Sequence, residues 1–301
     1  MEQNISIIGG KKAKSAVEKT MHIVFLVCGL AAVICVICMT LYMIVSGGPA
    51  IAKIGVTKFL FGQIWKPQIG EYGIAPMILS SILATFCAIL IALPVGVLVA
   101  VFLAKLSPGR LSAGLRMIFD LLAGIPSVVY GLLGMILITP LLFRLQEQMG
   151  LPMGGSLLAA IIILIIMILP TIISVSETAI RAVPKQYEDA SLALGTTKLQ
   201  SIFRVTVPAA KSGIVAGMVL GVGRAIGEAM AVIMVAGNAA IMPEFLRPVR
   251  FLTTSIPFEW DYSSGLHREA LYGIGLVLFV FIMIINVVLN RILKQGAGDR
   301  E

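Results

Sequence analysis

Ala159-Ala160-Ile161-Ile162-Ile163-Leu164 lies at the centre of a run that holds no charged residue from Glu147 to Glu177. At 1.5 Å per residue, a bilayer core ~30 Å thick takes ~20 apolar residues, so this run can cross a membrane. Working outward, the same pattern recurs. Lys19 to Lys53 encloses a run with its core near 22–46, and Glu71 to Lys105 encloses the next. Arg116 to Arg144 brackets another, interrupted only by Asp120. On the C-terminal side, 212–238 contains Arg224 and Glu228, and a last run extends from Ala270 to Asn290. The sequence therefore predicts an all-α polytopic membrane protein with six transmembrane helices. The long run before Lys105 contains Pro94 and the third contains Gly124-Ile125-Pro126, so both are expected to bend or tilt.

Composition supports this class. Of 301 residues, 58% are hydrophobic and 13% charged, and mean hydropathy is +1.01. A soluble domain carries about 25% charged residues, and disordered chains are polar. The net charge of +8 would suggest nucleic acid in a soluble protein. Here the basic residues flank the spans, and no nucleic-acid partner is expected. Cys28, Cys35, Cys38 and Cys87 all lie in apolar runs, and His22 is far from His267, so neither a disulfide framework nor a metal site is expected.

Loop charges orient the chain. With the N-terminus inside, 15 Lys and Arg fall in cytoplasmic segments, among them Lys105, Arg181 and Lys198, against seven outside. The positive-inside rule then puts both termini in the cytoplasm. The first apolar run is too long for a signal-peptide core and no A-x-A site follows, so it reads as a retained helix.

The longest inner loop begins Arg181-Ala182-Val183-Pro184 and ends Val205-Thr206-Val207-Pro208. Pro184 suits a helix start, with Glu188 and Asp189 in the opening turns. Gly195 after Leu194 suits a helix C-terminal turn. A short helix, a glycine turn, a second short helix and Pro208 leading into the fifth span are predicted. On physics alone, this loop is equally an amphipathic connector lying on the membrane. No G-x-x-x-x-G-K-[ST] phosphate cradle, H-E-x-x-H or G-x-S-x-G occurs in the chain. Any ATP that drives it must be bound, with Mg, by another subunit.

At these residues the chain resembles the permeases of ABC transporters. Their coupling motif runs E-A-A, three residues, Gly, nine residues, I-x-L-P. Aligned on Gly195, Asp189-Ala190-Ser191 takes the E-A-A place and Val205-Thr206-Val207-Pro208 the last place. Asp for Glu and Ser for Ala are departures, so the match is to spacing more than to letters. Gly124-Ile125-Pro126-Ser127-Val128-Val129-Tyr130-Gly131 and the segment from Leu220 to Val232 are similar to the third- and fifth-span motifs of phosphate permeases. Ser264-Gly265-Leu266-His267 is similar to the PstC-type subunit. The resemblance, over roughly 70–290, implies a type I ABC importer permease fold in a bacterial inner membrane. It also implies a PstA-type sister permease, two ATP-binding subunits and an external phosphate-binding protein. The implied coupling contacts are Glu188, Asp189, Ala190, Ser191, Gly195 and Pro208. The expected organisation is a tail (1–20), a first helix and outer loop (21–69), a permease core (70–292) with its coupling segment at 179–211, and a tail (293–301).

Charges inside a membrane cost about 2.5–3.5 kcal/mol each on insertion scales. Asp120 reads as a locally paired or snorkelling group and Glu177 as interfacial. Arg224 and Glu228 stand at i,i+4 on one helix, about 6 Å apart along its axis, and so can pair. Either they only neutralise each other, or Arg224 offers its bidentate fork to an oxyanion and Glu228 holds it between substrates. Ser127 and Tyr130 are further candidate donors to the substrate. Gly213, Gly217 and Gly221, then Gly223 and Gly227, recur at i+4 and suit close helix contact, either within the subunit or with a sister subunit. Sulfate or molybdate permeases, an ion-driven anion transporter and a membrane enzyme are the competing classes. Phosphate is favoured mildly because it donates hydrogen bonds to acceptors such as Glu228, which sulfate does not. No His/Asp/Glu cluster supports an enzyme.

Overall fold

The structure, a computed structural model, describes residues 11–298, with side-chain surroundings for 18–291. The tails expected at 1–20 and 293–301 therefore fall wholly or partly outside the described residues. The helices follow in order: α1 (Lys11–Ile54), α2 (Val56–Phe61), then a two-residue hairpin of β1 (Trp65–Lys66) and β2 (Glu71–Tyr72). Next come α3 (Ala75–Val101), α4 (Gly109–Gly124), α5 (Ser127–Leu133), α6 (Thr139–Gln148) and α7 (Leu157–Arg181). The chain continues through α8 (Lys185–Ala193), α9 (Lys198–Ser201), α10 (Val207–Ala209), α11 (Lys211–Gly227) and α12 (Met230–Val235). It closes with α13 (Leu252–Glu259) and α14 (Gly265–Gly298).

Among the described residues, five helical stretches are long and apolar enough to cross a membrane: 18–54, 75–106, 127–148, 157–181 and 265–291. A sixth crossing is made only if 198–209 and 211–227, bent by 67° at their junction, count as one. The expected third and fifth spans are both corrected. Charges at Arg116 and Arg144 suggested one helix, but α4 and α5 are separate. The residue before a proline is driven out of the α region, and Ile125 is extended, with ψ 130°. Asp120 thus belongs to α4 and not to the third span. The fifth run also stops early: α11 ends at Gly227, Glu228 is extended with ψ 127°, and α12 begins anew.

Three π turns, at 102–106, 134–138 and 202–206, each stand just before a proline: Pro108, Pro140 and Pro208. Proline has no amide hydrogen and its ring crowds the carbonyl four residues back, so the preceding turn widens.

The core sits around α7. Its Ala159, Ala160, Ile163, Leu164, Met167 and Ile168 are buried against α3, α5, α11 and α12. α1 lies apart and packs on α14, where Gly47 meets the backbone of Gly273 and the Tyr42 and Tyr272 hydroxyls stand 2.9 Å apart. Cys35 and Cys38, at C-x-x-C spacing, lie on the exposed face of α1, inside its apolar stretch.

The glycines divide. A Cβ on Gly213 would lie 2.2 Å from the Ala179 Cβ, and those on Gly217 and Gly221 would touch Ser176 and Ile172. These three seat α11 on α7 within the subunit. Gly131 and Gly134 likewise receive α12 and Ile163. Gly223 and Gly227 face open space. Gly213→Val is accordingly expected to lower the thermal midpoint of the detergent-solubilised chain, since overpacking costs about 1–3 kcal/mol. Gly223→Val should leave that midpoint close to wild type, and equal midpoints for the two variants would refute the division.

Candidate functional site

Arg224 lies in the last turn of α11. Its Nη1 donates to the Thr171 hydroxyl on α7 at 3.2 Å. The expected pairing with Glu228 is not made, because Glu228 has left the helix and i,i+4 geometry no longer holds. Instead, Glu228 Oε1 accepts the Ala231 amide at 2.8 Å and so satisfies the start of α12. The Glu228 carbonyl accepts the Thr253 hydroxyl at 2.7 Å. Low helix propensity at Gly227 and these two bonds account for the break.

Tyr130 is buried, and its hydroxyl donates to the Leu122 carbonyl at 2.7 Å, bridging the 124–126 break. Its oxygen keeps acceptor capacity, and the Arg224 charge is near enough to act on it. Ser127 stands one turn earlier on α5, half-buried and without a hydrogen-bond partner among the described residues. The structure thus brings Arg224, Thr171 and Tyr130 into one neighbourhood. Thr171 was not a candidate from the sequence, since a threonine after Pro170 carries no signal of its own. Beside Arg224, Gly223 and Gly227 leave the α11 surface open. A guanidinium in hydrocarbon is costly, so this face requires water or another protein.

Glu177 stands one turn from the end of α7 and is buried among protein side chains, at 3% exposure. It pairs with Arg116 of α4, and with Arg181 one turn along α7 at 2.7 Å. Asp120 is exposed and has no ion-pair partner among the described residues.

At the Arg181 end of α7, α8 begins after Pro184 and closes on Gly195, whose φ of +87° is the left-handed conformation that favours glycine. Thr197 and Gln200 then form a capping box for α9. Ser191 is buried and its hydroxyl meets that of Thr196 at 2.8 Å, fixing the turn. Asp189, Ala190 and Pro208 are exposed, while Glu188 is half-buried. Apolar side chains stand out around them: Leu194 is 86% exposed, and Tyr187, Leu199 and Phe203 are exposed as well. A cleft of about 790 Å³ opens beside them, lined by Val183, Pro184, Tyr187, Val205 and Pro208.

One cluster, at the end of the bundle opposite α8, escaped sequence reasoning except for His267, which stands in the Ser264-Gly265-Leu266-His267 segment. The buried Glu259 carboxylate receives Arg250 on one oxygen. Its other oxygen receives Trp65 Nε1 at 2.9 Å and meets His267 Nε2 at 2.7 Å. These four residues tie the hairpin, the 236–251 loop, α13 and α14 into one cap at the end of the bundle opposite α8. Burial, then the Glu259 charge, push the neighbouring Tyr262 phenol up, and Arg250 partly offsets them.

Comparison with known proteins gives these geometries a context. Residues 92–295 match the family described as the binding-protein-dependent transport system inner membrane component. A probable ABC transporter permease protein of Bacillus subtilis, YqgH, is 34% identical over 95% of each chain. The phosphate transport system permease protein PstC of Pasteurella multocida is 33% identical over 81% of each chain. Among solved structures, the methionine ABC transporter MetNI in an inward-facing form matches with a TM-score of 0.53 at 21% identity. That match covers 77% of this chain and 99% of the other. A bacterial alginate ABC transporter matches with a TM-score of 0.61 at 15% identity, over 92% and 96%. At these identities the structural matches speak for the fold alone.

Proposed function

Because this chain belongs to the family of binding-protein-dependent transport system inner membrane components, we propose that it is the permease subunit through which an ATP-driven importer passes inorganic phosphate. The observation that carries this reading is Arg224: a permanent cation within a membrane crossing, on an open glycine-bordered face, held by a neutral hydroxyl and, among the described residues, by no carboxylate. Such a group accepts an oxyanion by exchanging one hydrogen bond, without breaking an ion pair. A PstA-type sister permease covers the open face and completes the path. Two ATP-binding subunits hold ATP and Mg and dock at α8 and Gly195, where the exposed Leu194 and Tyr187 give them apolar surface to bury. An external phosphate-binding protein docks on the outer cap. Closure of the motor subunits displaces α8, and the path switches between inward- and outward-open states.

The test is uptake of labelled phosphate in vesicles holding the permease pair, the ATP-binding subunits and the binding protein. ATP-dependent uptake that excess sulfate leaves untouched is expected. Uptake competed equally by sulfate would favour a general oxyanion permease.

Orientation has its own measurement. Both termini are proposed to be cytoplasmic. On a cysteine-free background, exposed positions Phe61→Cys and Tyr262→Cys should react with an impermeant thiol reagent from outside, and Lys198→Cys only after the membrane is opened. Labelling of position 198 in intact cells would invert the topology.

A further inference from the structure

The inner helix ends carry an ion pair that the site above leaves unused. Lys105 Nζ reaches Glu188 Oε2 at 2.7 Å, with the two side chains only 13% and 16% exposed. Solvent-exposed pairs are weak and screened by salt, but this one is largely enclosed. Its position follows from Pro108. The π turn there makes the Ser107 amide donate to the Phe102 carbonyl, and Pro108 offers no hydrogen to the next carbonyl, Leu103. That carbonyl is taken by Arg181 Nη2 at 2.8 Å and by the Ser112 hydroxyl at 2.9 Å. Lys105 lies within this widened turn, which shifts it around the axis relative to an uninterrupted α-helix.

Among the described residues, Lys105–Glu188 is the one side-chain hydrogen bond from α8 to a membrane span. The rest of α8 is mostly exposed, with only Ser191 buried. α3 in turn lies along α7 and α11. At its outer end, Ser81 Oγ accepts the Leu252 amide at 3.1 Å, and the adjoining Thr253 holds the Glu228 carbonyl. A continuous helix therefore joins α8 to the backbone break one turn beyond Arg224.

We propose that Lys105 and Glu188 are positioning residues that fasten the coupling helix to α3. A displacement of α8 by the ATP-binding subunit then moves α3 and, through Ser81, the segment that holds Glu228. This inference rests on the reading of α8 as the coupling helix. Without the pair, α8 still docks but slips against α3, and hydrolysis is spent without movement of the path.

The experiment measures phosphate imported per ATP hydrolysed by the complete importer in vesicles. Lys105→Met and Glu188→Gln should each lower the ratio at least about fivefold, the lower range of inter-site coupling. Lys105→Met should still co-purify with the ATP-binding subunit. Lys105→Arg should keep the ratio, and the exchange Lys105→Glu with Glu188→Lys should restore most of it. A merely structural role would reduce the amount of complex without changing the ratio. An unchanged ratio in both single variants overturns the inference, as does an exchange that fails to restore coupling or to assemble. If the single variants do not assemble, the exchange variant decides alone. Absence of ATP-dependent import by the wild-type complex would instead defeat the importer reading itself.

Discussion

Arg224→Gln is expected to abolish phosphate uptake while the importer still assembles. Glutamine is two atoms shorter and gives up the bond to the Thr171 hydroxyl, now 3.2 Å from the guanidinium, but Gly213, Gly217 and Gly221 still seat α11 on α7, so assembly is spared. What is lost is the charge and the fork. Hydrogen bonds to charged groups contribute about 1.5–3 kcal/mol each. Losing two from a bound phosphate costs roughly 3 kcal/mol or more, and at 1.4 kcal/mol per decade uptake falls at least about 100-fold. Arg224→Lys should recover only part of it, because an ammonium is a point charge without the planar pair of donors. Glu228→Gln should be mild, since its amide oxygen still accepts the Ala231 N–H that starts α12. The measurement is vesicle uptake normalised to assembled complex. Full uptake by the Arg224→Gln, Glu228→Gln double variant would remove both residues from the mechanism.

The contrast between these two residues also shows what a sequence discloses. α7 was evident because its charge-free run is long and admits no other reading. The Gly195 turn was evident because helix C-termini favour glycine in the left-handed region, and φ there is +87°. The third span was misplaced because charges were used as brackets. The local signal, Ile125 before Pro126, predicts an extended residue and hence a full break and not a bend. Glu228 was misread because i,i+4 reasoning presumes the helix it is used on. The bond that helps draw it out comes from Thr253, 25 residues away. Five glycines of one spacing pattern proved to serve two surfaces, a difference set by whether Ala179 and Ile172 stand opposite. The Glu259 cluster as a whole had no sequence signal beyond the motif that ends at His267, since Trp65, Arg250 and His267 converge on it from three separate segments.

Gly195→Glu should uncouple ATP hydrolysis from transport. Two separable effects are built into the substitution. A side chain at φ +87° is strained, at a cost of roughly 1–2 kcal/mol for an L-residue in the left-handed region. That strain is local and α8 is short, so membrane insertion should remain normal. The second effect is positional. Nothing lies within 4 Å of the Cβ that the new residue would carry, so its carboxylate projects outward beside Leu194, itself 86% exposed. If an ATP-binding subunit buries that surface, an unpaired charge is forced into the contact, and such burial costs several kcal/mol. Gly195→Asn separates the two effects, because asparagine tolerates the left-handed region and brings no charge. It should retain most of the import per ATP, while Gly195→Glu loses at least about tenfold, the change expected from a coupling loss of 1.4 kcal/mol. Import and hydrolysis measured on the same vesicles read the ratio directly. Normal import by Gly195→Glu would mean that no subunit covers this turn, and α8 would revert to a connector lying at the membrane surface.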